Sequence, residues 1–221
     1  NGRRPPLVAV RGGEIEGARK LENVLADAIA ERPPVTTVAG DPAYWLYSSG
    51  TTGRPKGAIH VHGNIATGDQ FLAAFGFGPG ERVFSSSKLF FAYALGHVLI
   101  GGLHSGSTII LFDGWPDGEA IAHVVERYRP TIMASVPAFY RSLLRDGLAE
   151  KPCFKEVHRY ISAGEALPES LYARWLEATG RPIVEGIGAS ETIWLMVGGT
   201  PTSHLPGATG KPYPYCEAKL L

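Results

Sequence analysis

The chain has 221 residues, enough for one large domain or two small ones around a sizeable core. Its 21 Lys and Arg balance its 21 Asp and Glu, so no global field draws it to nucleic acid or to a membrane surface. Cys153 and Cys216 fit no zinc or redox spacing, and the longest apolar stretch, near residues 89–103, is broken by His97 and too short to span a bilayer.

The chain opens without an initiator Met and without the apolar core of a signal peptide, as expected of a piece excised from a longer, cytoplasmic protein. Leu21, Val24, Leu25, Ala28 and Ile29 recur at helical spacing, which predicts an amphipathic helix over 21–30 that ends at Pro33-Pro34. Residues 43–48 (AYWLYS) read as a strand running into a Gly/Thr-rich loop at 49–57. Thereafter helix and strand alternate. A helix near 62–75, with Asn64 as a candidate cap, precedes a strand near 82–87, and a helical stretch near 92–103 leads to a strand at 107–112. A helix over 117–129 puts Ile121, Val124, Val125 and Tyr128 on one face and stops before Pro130. Strand 131–135, helix 138–145, strand 160–163, helix 169–179 and strand 183–186 complete the run.

This alternation predicts an α/β fold, with a mostly parallel sheet covered by helices on both faces. Right-handed crossovers place all strand C-terminal ends on one edge, where ligands bind. Gly-rich loops at 50–57, 162–166 and 186–191 each follow a predicted strand, so all three are expected to converge there.

The segment Ser48-Ser49-Gly50-Thr51-Thr52-Gly53-Arg54-Pro55-Lys56-Gly57 carries the parts of a polyphosphate cradle. Glycines admit close approach of an anion to backbone N–H groups, four hydroxyls add donors, and Arg54 and Lys56 add charge. It is not a Walker loop, because Gly57 rather than Ser or Thr follows the lysine. From composition alone, a flexible surface turn accounts for it equally well.

The same ten positions resemble the phosphate loop of the adenylate-forming superfamily, which includes acyl-CoA synthetases, luciferases and peptide-synthetase adenylation domains. Gly186-Ile187-Gly188-Ala189-Ser190-Glu191 resembles a second motif of that family, with Ser where Thr is usual, and Ser162-Ala163-Gly164-Glu165-Ala166-Leu167-Pro168 its adenine-lining turn. Lys88 to Gly96 resembles the carboxylate-pocket helix. Phe91 where many relatives have His, and Ile187 where others have Tyr, look like benzoate-CoA ligases and their kin.

The resemblance implies two-step chemistry: a carboxylate and ATP give acyl-AMP, and the thiol of CoA then takes the acyl group. Ser48, Ser49 and Gly50 would belong to the ATP cradle, while Thr51, Thr52, Gly53 and Lys56 would handle the β- and γ-phosphates. Ser190 would contact the α-phosphate, Glu191 would ligate Mg²⁺, and Gly164, Glu165, Ala166, Gly186, Ile187 and Gly188 would line the nucleotide. Phe91, Ala92 and Tyr93 are the candidates to touch the acyl group, with Gly96 leaving room and the bulky Trp194 reshaping the pocket. The seven histidines are expected in surface or core structural roles, since a lone His60-x-His62 pair is weak evidence for a metal.

By the same resemblance, residues 1–40 are an upstream strand, helix and linker, 41–200 the nucleotide- and acyl-binding subdomain, and 201–221 the start of a β-barrel. The rest of the barrel and a mobile C-terminal domain would lie outside this chain, so the fragment alone is expected to have little or no ligase activity. An adenylation domain serving a carrier protein, and a non-catalytic nucleotide-binding module, are the competing functions. The presence of both Lys56 and Glu191 argues against the second of these.

Overall fold

A computed structural model describes residues 9–10, 13–28, 35–48 and 54–219. The chain divides into two compact units, 1–37 and 38–221. In the first, β1 (Ala9–Val10) pairs in parallel with β2 (Arg19–Lys20), and α1 (Leu21–Ala26) follows directly. No residue of α1 is buried and Leu25 is exposed, so within this unit the predicted apolar stripe covers nothing. Residues 29–34, including the Pro33-Pro34 stop, lie outside the described residues.

The second unit opens with an element that differs from the expected alternation. β3 (Pro42–Ser48) and β4 (Lys56–Val61) form an antiparallel hairpin of their own, with Tyr44 opposite His60 and Ser48 opposite Lys56. The Gly/Thr-rich loop therefore closes a hairpin and is not a strand-to-helix turn at the edge of the parallel sheet. The composition of Lys-Gly-Ala-Ile-His-Val hides the second strand: only alternate positions turn inward, and one of these carries His60.

The predicted helix at 62–75 is a 3-10 turn over His62–Gly68 that passes into α2 (Asp69–Ala74). The seven-stranded sheet then begins with β5 (Arg82–Ser85). Next comes a π-helical segment over Ala94–Ile100, continued by α3 (Gly101–Ser105), and then β6 (Thr108–Ile110). α4 (Gly118–Tyr128) starts where the Asp117 carboxylate accepts from the Ala120 N–H at 2.8 Å, and ends at left-handed Arg129 just before Pro130. β7 (Ile132–Ser135), α5 (Pro137–Arg145), α6 (Pro152–Lys155), β8 (Arg159–Ser162), α7 (Glu169–Thr179) and β9 (Ile183–Gly188) follow.

Strands β6, β5, β7, β8 and β9 are parallel in that spatial order. Two strands that the sequence pattern did not announce extend the sheet antiparallel beyond β9: β10 (Leu195–Gly198) and β11 (Lys211–Pro212). Lys211 and Pro212 thus return to the edge of the same sheet.

Successive strand residues face opposite sides and divide the core. Phe84, Met133, Tyr160 and Ile183 join one buried cluster with α4 to α7. Val83, Ile132, Ile161 and Val184 join another with Phe71, Leu72, Val98 and Trp194. Helices on both faces follow from this alternation, as predicted.

Candidate active site

A cavity of about 180 Å³ opens where the ends of β8 and β9 meet the helical segment after β5. Phe91, Ala92, Tyr93 and His97 supply one wall, Ala163 and Gly164 a second, and Gly188 to Leu195 most of a third. Residues from the predicted acyl helix, adenine turn and Ser-Glu turn therefore meet around one space.

Phe91, Ala92, Tyr93 and Trp194 all line this cavity, whereas Gly96 does not. A Cβ on Gly96 would come within 2.7 Å of the Ile193 side chain and 2.9 Å of its carbonyl oxygen. Gly96 lets the 189–194 segment approach the helix, and leaves no space for an acyl group. Tyr93 presents its ring, since its hydroxyl donates to the Ile161 carbonyl of β8 at 3.0 Å and burial pushes the phenol well above its usual range. Trp194 is almost fully buried, and its Nε1–H donates to the Asn64 carbonyl at 2.9 Å. Part of the indole occupies the place of a missing side chain: a Cβ on Gly68 would lie 2.4 Å from it.

The nucleotide-type turns sit side by side, because β8 and β9 are neighbours with Ser162 opposite Glu185. Gly164 has φ +91°, a left-handed value that glycine adopts without strain, and Gly164, Glu165 and Ala166 are exposed. Glu185 braces this turn by accepting from the Leu167 N–H at 3.0 Å. Across from it, Gly186 is buried under Leu195, Ile187 and Gly188 are exposed, Ser190 is half-buried and Glu191 is exposed. The paired turns offer a shallow surface of backbone polar groups, a form that suits a planar base and an adjoining phosphate.

Of the phosphate-loop candidates, Ser48 and Lys56 face each other at the end of the hairpin, and Lys56 is exposed. Ser49, Gly50, Thr51, Thr52 and Gly53 lie outside the described residues.

Two histidines that sequence reasoning passed over sit beside this site. His97 is buried and neutral: its Nδ1–H donates to the Tyr93 carbonyl at 3.1 Å, while Nε2 accepts from the Leu195 N–H at 3.1 Å. Burial holds its pKa down at about 4, against the opposing effect of the Tyr93 hydrogen bond. His60, fully buried on β4, bonds the Ser190 carbonyl through Nε2 at 2.8 Å. Asn64 caps no helix; its side-chain amide meets His60 Nδ1 at 3.2 Å. Their one signal in the sequence is an inward position on an alternating strand for His60 and a helical apolar face for His97. The left-handed backbone of Ile193 (φ 60°), costly for a β-branched residue, had no sequence signal.

Among the described residues no three His, Cys, Asp or Glu side chains converge as a metal cage. A single exposed carboxylate, Glu191, fits an ion that takes most of its oxygens from phosphate and water, as Mg²⁺ does with nucleotides.

A parallel α/β sheet with paired nucleotide-type turns at its carboxyl edge and an aromatic-walled cavity beside them defines a nucleotide-dependent enzyme domain. A family model described as AMP-binding enzyme matches residues 6–221, and the chain belongs to that family. It is 46% identical over 98% of its length to a 3-hydroxybenzoate–CoA ligase of Aromatoleum sp. (strain CIB) and 44% identical over 98% to a 3-hydroxybenzoate–CoA/4-hydroxybenzoate–CoA ligase of Thauera aromatica. The chain spans 42% of the length of each relative. Among solved structures, a benzoate CoA ligase from Burkholderia xenovorans LB400 matches 89% of the chain and 40% of its own, with TM-score 0.78 and 34% identity. The anthranilate CoA ligase AuaEII in complex with anthranoyl-AMP matches 93% of the chain and 40% of its own, with TM-score 0.83 and 27% identity.

Proposed function

We propose that this chain is the nucleotide- and acyl-binding part of a ligase that activates an aromatic carboxylic acid with ATP and passes the acyl group to CoA. The observation that carries this reading is the single cavity that Phe91, Tyr93 and Trp194 line together with Gly164, Gly188 and Ser190. An aromatic acid seated there would lie beside the place assigned to the α-phosphate.

In the first step a carboxylate oxygen attacks the α-phosphorus, its P–O bond to the β-phosphate breaks, and acyl-AMP and pyrophosphate result. Charge builds on the phosphoryl oxygens, so donors fixed in advance supply most of the catalysis. The Ser190 hydroxyl would donate to the α-phosphate, and Lys56 with Thr51, Thr52 and Gly53 would hold the departing pyrophosphate. Glu191 would hold Mg²⁺, which would supply neutralisation of the phosphate charge. In the second step the CoA thiolate attacks the acyl carbonyl and AMP leaves. Residues 201–221 are assigned to the beginning of a barrel subdomain that belongs to the longer protein. No helix among the described residues is long and apolar enough to cross a membrane.

Calorimetric titration of the intact ligase with Mg-ATP, and separately with a non-hydrolysable benzoyl-AMP mimic, tests the assignment. Lys56→Ala and Glu191→Ala should each weaken ATP roughly ten- to a hundredfold, the range for a lost charge-assisted contact. Lys56→Ala should leave the mimic, which has no pyrophosphate, nearly unaffected. Binding of ATP without the mimic would remove the aromatic-acid assignment, and binding of neither would sink the nucleotide assignment as well.

A further inference from the structure

We infer that His60 is a positioning residue that couples the phosphate-loop hairpin to the turn carrying Ser190 and Glu191. The inference rests on the ligase function proposed above. His60 has no exposure at all, and burial of its polar ring is unfavourable unless both nitrogens are satisfied. Both are. Nε2–H donates to the Ser190 carbonyl at 2.8 Å, and Nδ1 accepts from the Asn64 side chain at 3.2 Å. The Tyr44 ring, directly across the hairpin, stacks on the imidazole at 4.9 Å with 13° between planes. Ring orientation is thus fixed from both strands.

Among the described residues this is the sole side-chain hydrogen bond from β3 or β4 to the 186–194 segment. Four residues further on, the Asn64 carbonyl takes the Trp194 indole N–H at 2.9 Å. The exit of the hairpin therefore grips the chain at Ser190 and at Trp194, on either side of Glu191. Lys56 lies four residues before His60 on the same strand, and the period of two puts both side chains on one face, roughly 13 Å apart along the strand. Strand β4 joins the lysine assigned to pyrophosphate and the turn assigned to the α-phosphate and magnesium into one unit, with His60 as the joint.

Adenylation needs both sets of groups in register, because charge develops across the α-phosphate and the leaving pyrophosphate together. Transfer from acyl-AMP to CoA involves no pyrophosphate. A positioning role at the joint therefore affects the first half-reaction, which needs both sides of it, far more than the second, which keeps only the α-phosphate. A histidine that merely fills the core affects both alike.

The test uses the intact ligase, with ATP–pyrophosphate exchange for the first half-reaction and CoA transfer from chemically prepared benzoyl-AMP for the second. His60→Phe keeps the ring and its stacking on Tyr44 but loses both polar contacts; His60→Gln keeps an amide donor able to reach Ser190. Exchange should fall roughly tenfold or more in His60→Phe with transfer changed by less than about twofold, and His60→Gln should recover most of the loss. Exchange unchanged in His60→Phe, or an equal fall in both half-reactions with a lowered Tm, overturns the coupling role. If the unsubstituted ligase shows no exchange at all, the ligase function itself is what has failed.

Discussion

On one face of the sheet, α4 to α7 lay regular helices over Phe84, Met133, Tyr160 and Ile183. On the other, Val83, Ile132, Ile161 and Val184 are covered by the short helix α2 after its 3-10 turn, by a π-helical segment and by the Trp194 loop. The cavity and both buried histidines lie with the irregular cover. A regular α-helix satisfies its own backbone and presents side chains at fixed spacing, which packs well and binds little. A π-helical segment departs from that spacing and is frequent at functional sites. Here it carries Gly96 and His97 to the 193–195 chain. The contrast assigns stability chiefly to the first face and the site to the second, and substitutions on each can break that division.

The largest effect is expected on the regular face. Trp175 is fully buried, with the rings of Tyr140 at 4.7 Å and Tyr160 at 5.0 Å packed edge-on against it. Trp175→Ala should cost about 3–5 kcal/mol in urea unfolding, the range for large aromatic deletions in a core. It should leave affinity of the folded protein for an acyl-AMP mimic unchanged, since Trp175 does not line the cavity. Trp175→Phe should cost far less than the alanine variant, because the indole N–H has no partner to lose. A large loss of mimic affinity in either variant would break the division between the faces.

The same contrast explains what could be read in the sequence. On the regular face Ile121, Val124 and Val125 announce α4 by spacing, Asp117 and Pro130 bracket it, and the structure buries the three apolar residues. On the irregular face the period of 3.6 is absent from 62–68 and altered in 94–100, so a single helix was expected where the chain makes a 3-10 turn first. The site turns were legible because Gly164, Gly188 and Ser190 sit in short motifs with their own chemistry. His60 was not, since its partner Ser190 is 130 residues away and a lone histidine on a strand names no partner. Strand β10 was missed for a related reason. Ile193 to Val197 is a continuous apolar run whose antiparallel pairing with β9 depends on the left-handed turn at Ile193.

His97 gives the irregular face a pH dependence in the acid range. Its pKa is held at about 4 in the folded protein against an ordinary 6.5. Below pH 6.5 the unfolded chain takes up a proton that the folded one refuses. The contribution is therefore fully present above pH 6.5 and is lost as the pH falls towards 4. The loss should be about 3 kcal/mol at most. Urea unfolding of the protein across this window should show the decline, and His97→Asn should flatten the corresponding part of the curve. An equal slope in the variant would mean that carboxylates elsewhere account for it.

The smallest effect tests how the irregular face gives way under crowding. A Cβ on Gly68 meets the Trp194 indole at 2.4 Å, well inside any real contact, and Gly68 itself is buried. Its φ of −83° is one that alanine adopts freely, so Gly68→Ala brings no backbone strain and any cost is overpacking. That cost should be about 1–3 kcal/mol. The indole also lines the cavity proposed for the acyl group, so the methyl group should push it into that cavity and weaken an aromatic acyl-AMP mimic as well as the fold. Trp194→Phe in the Gly68→Ala background relieves the clash by removing the ring that is struck. The double variant should then be more stable than the sum of the single costs, with a coupling of about 0.5–3 kcal/mol. Additive costs would show that the indole and the Gly68 turn move independently, and the cavity wall would then be softer than its packing implies.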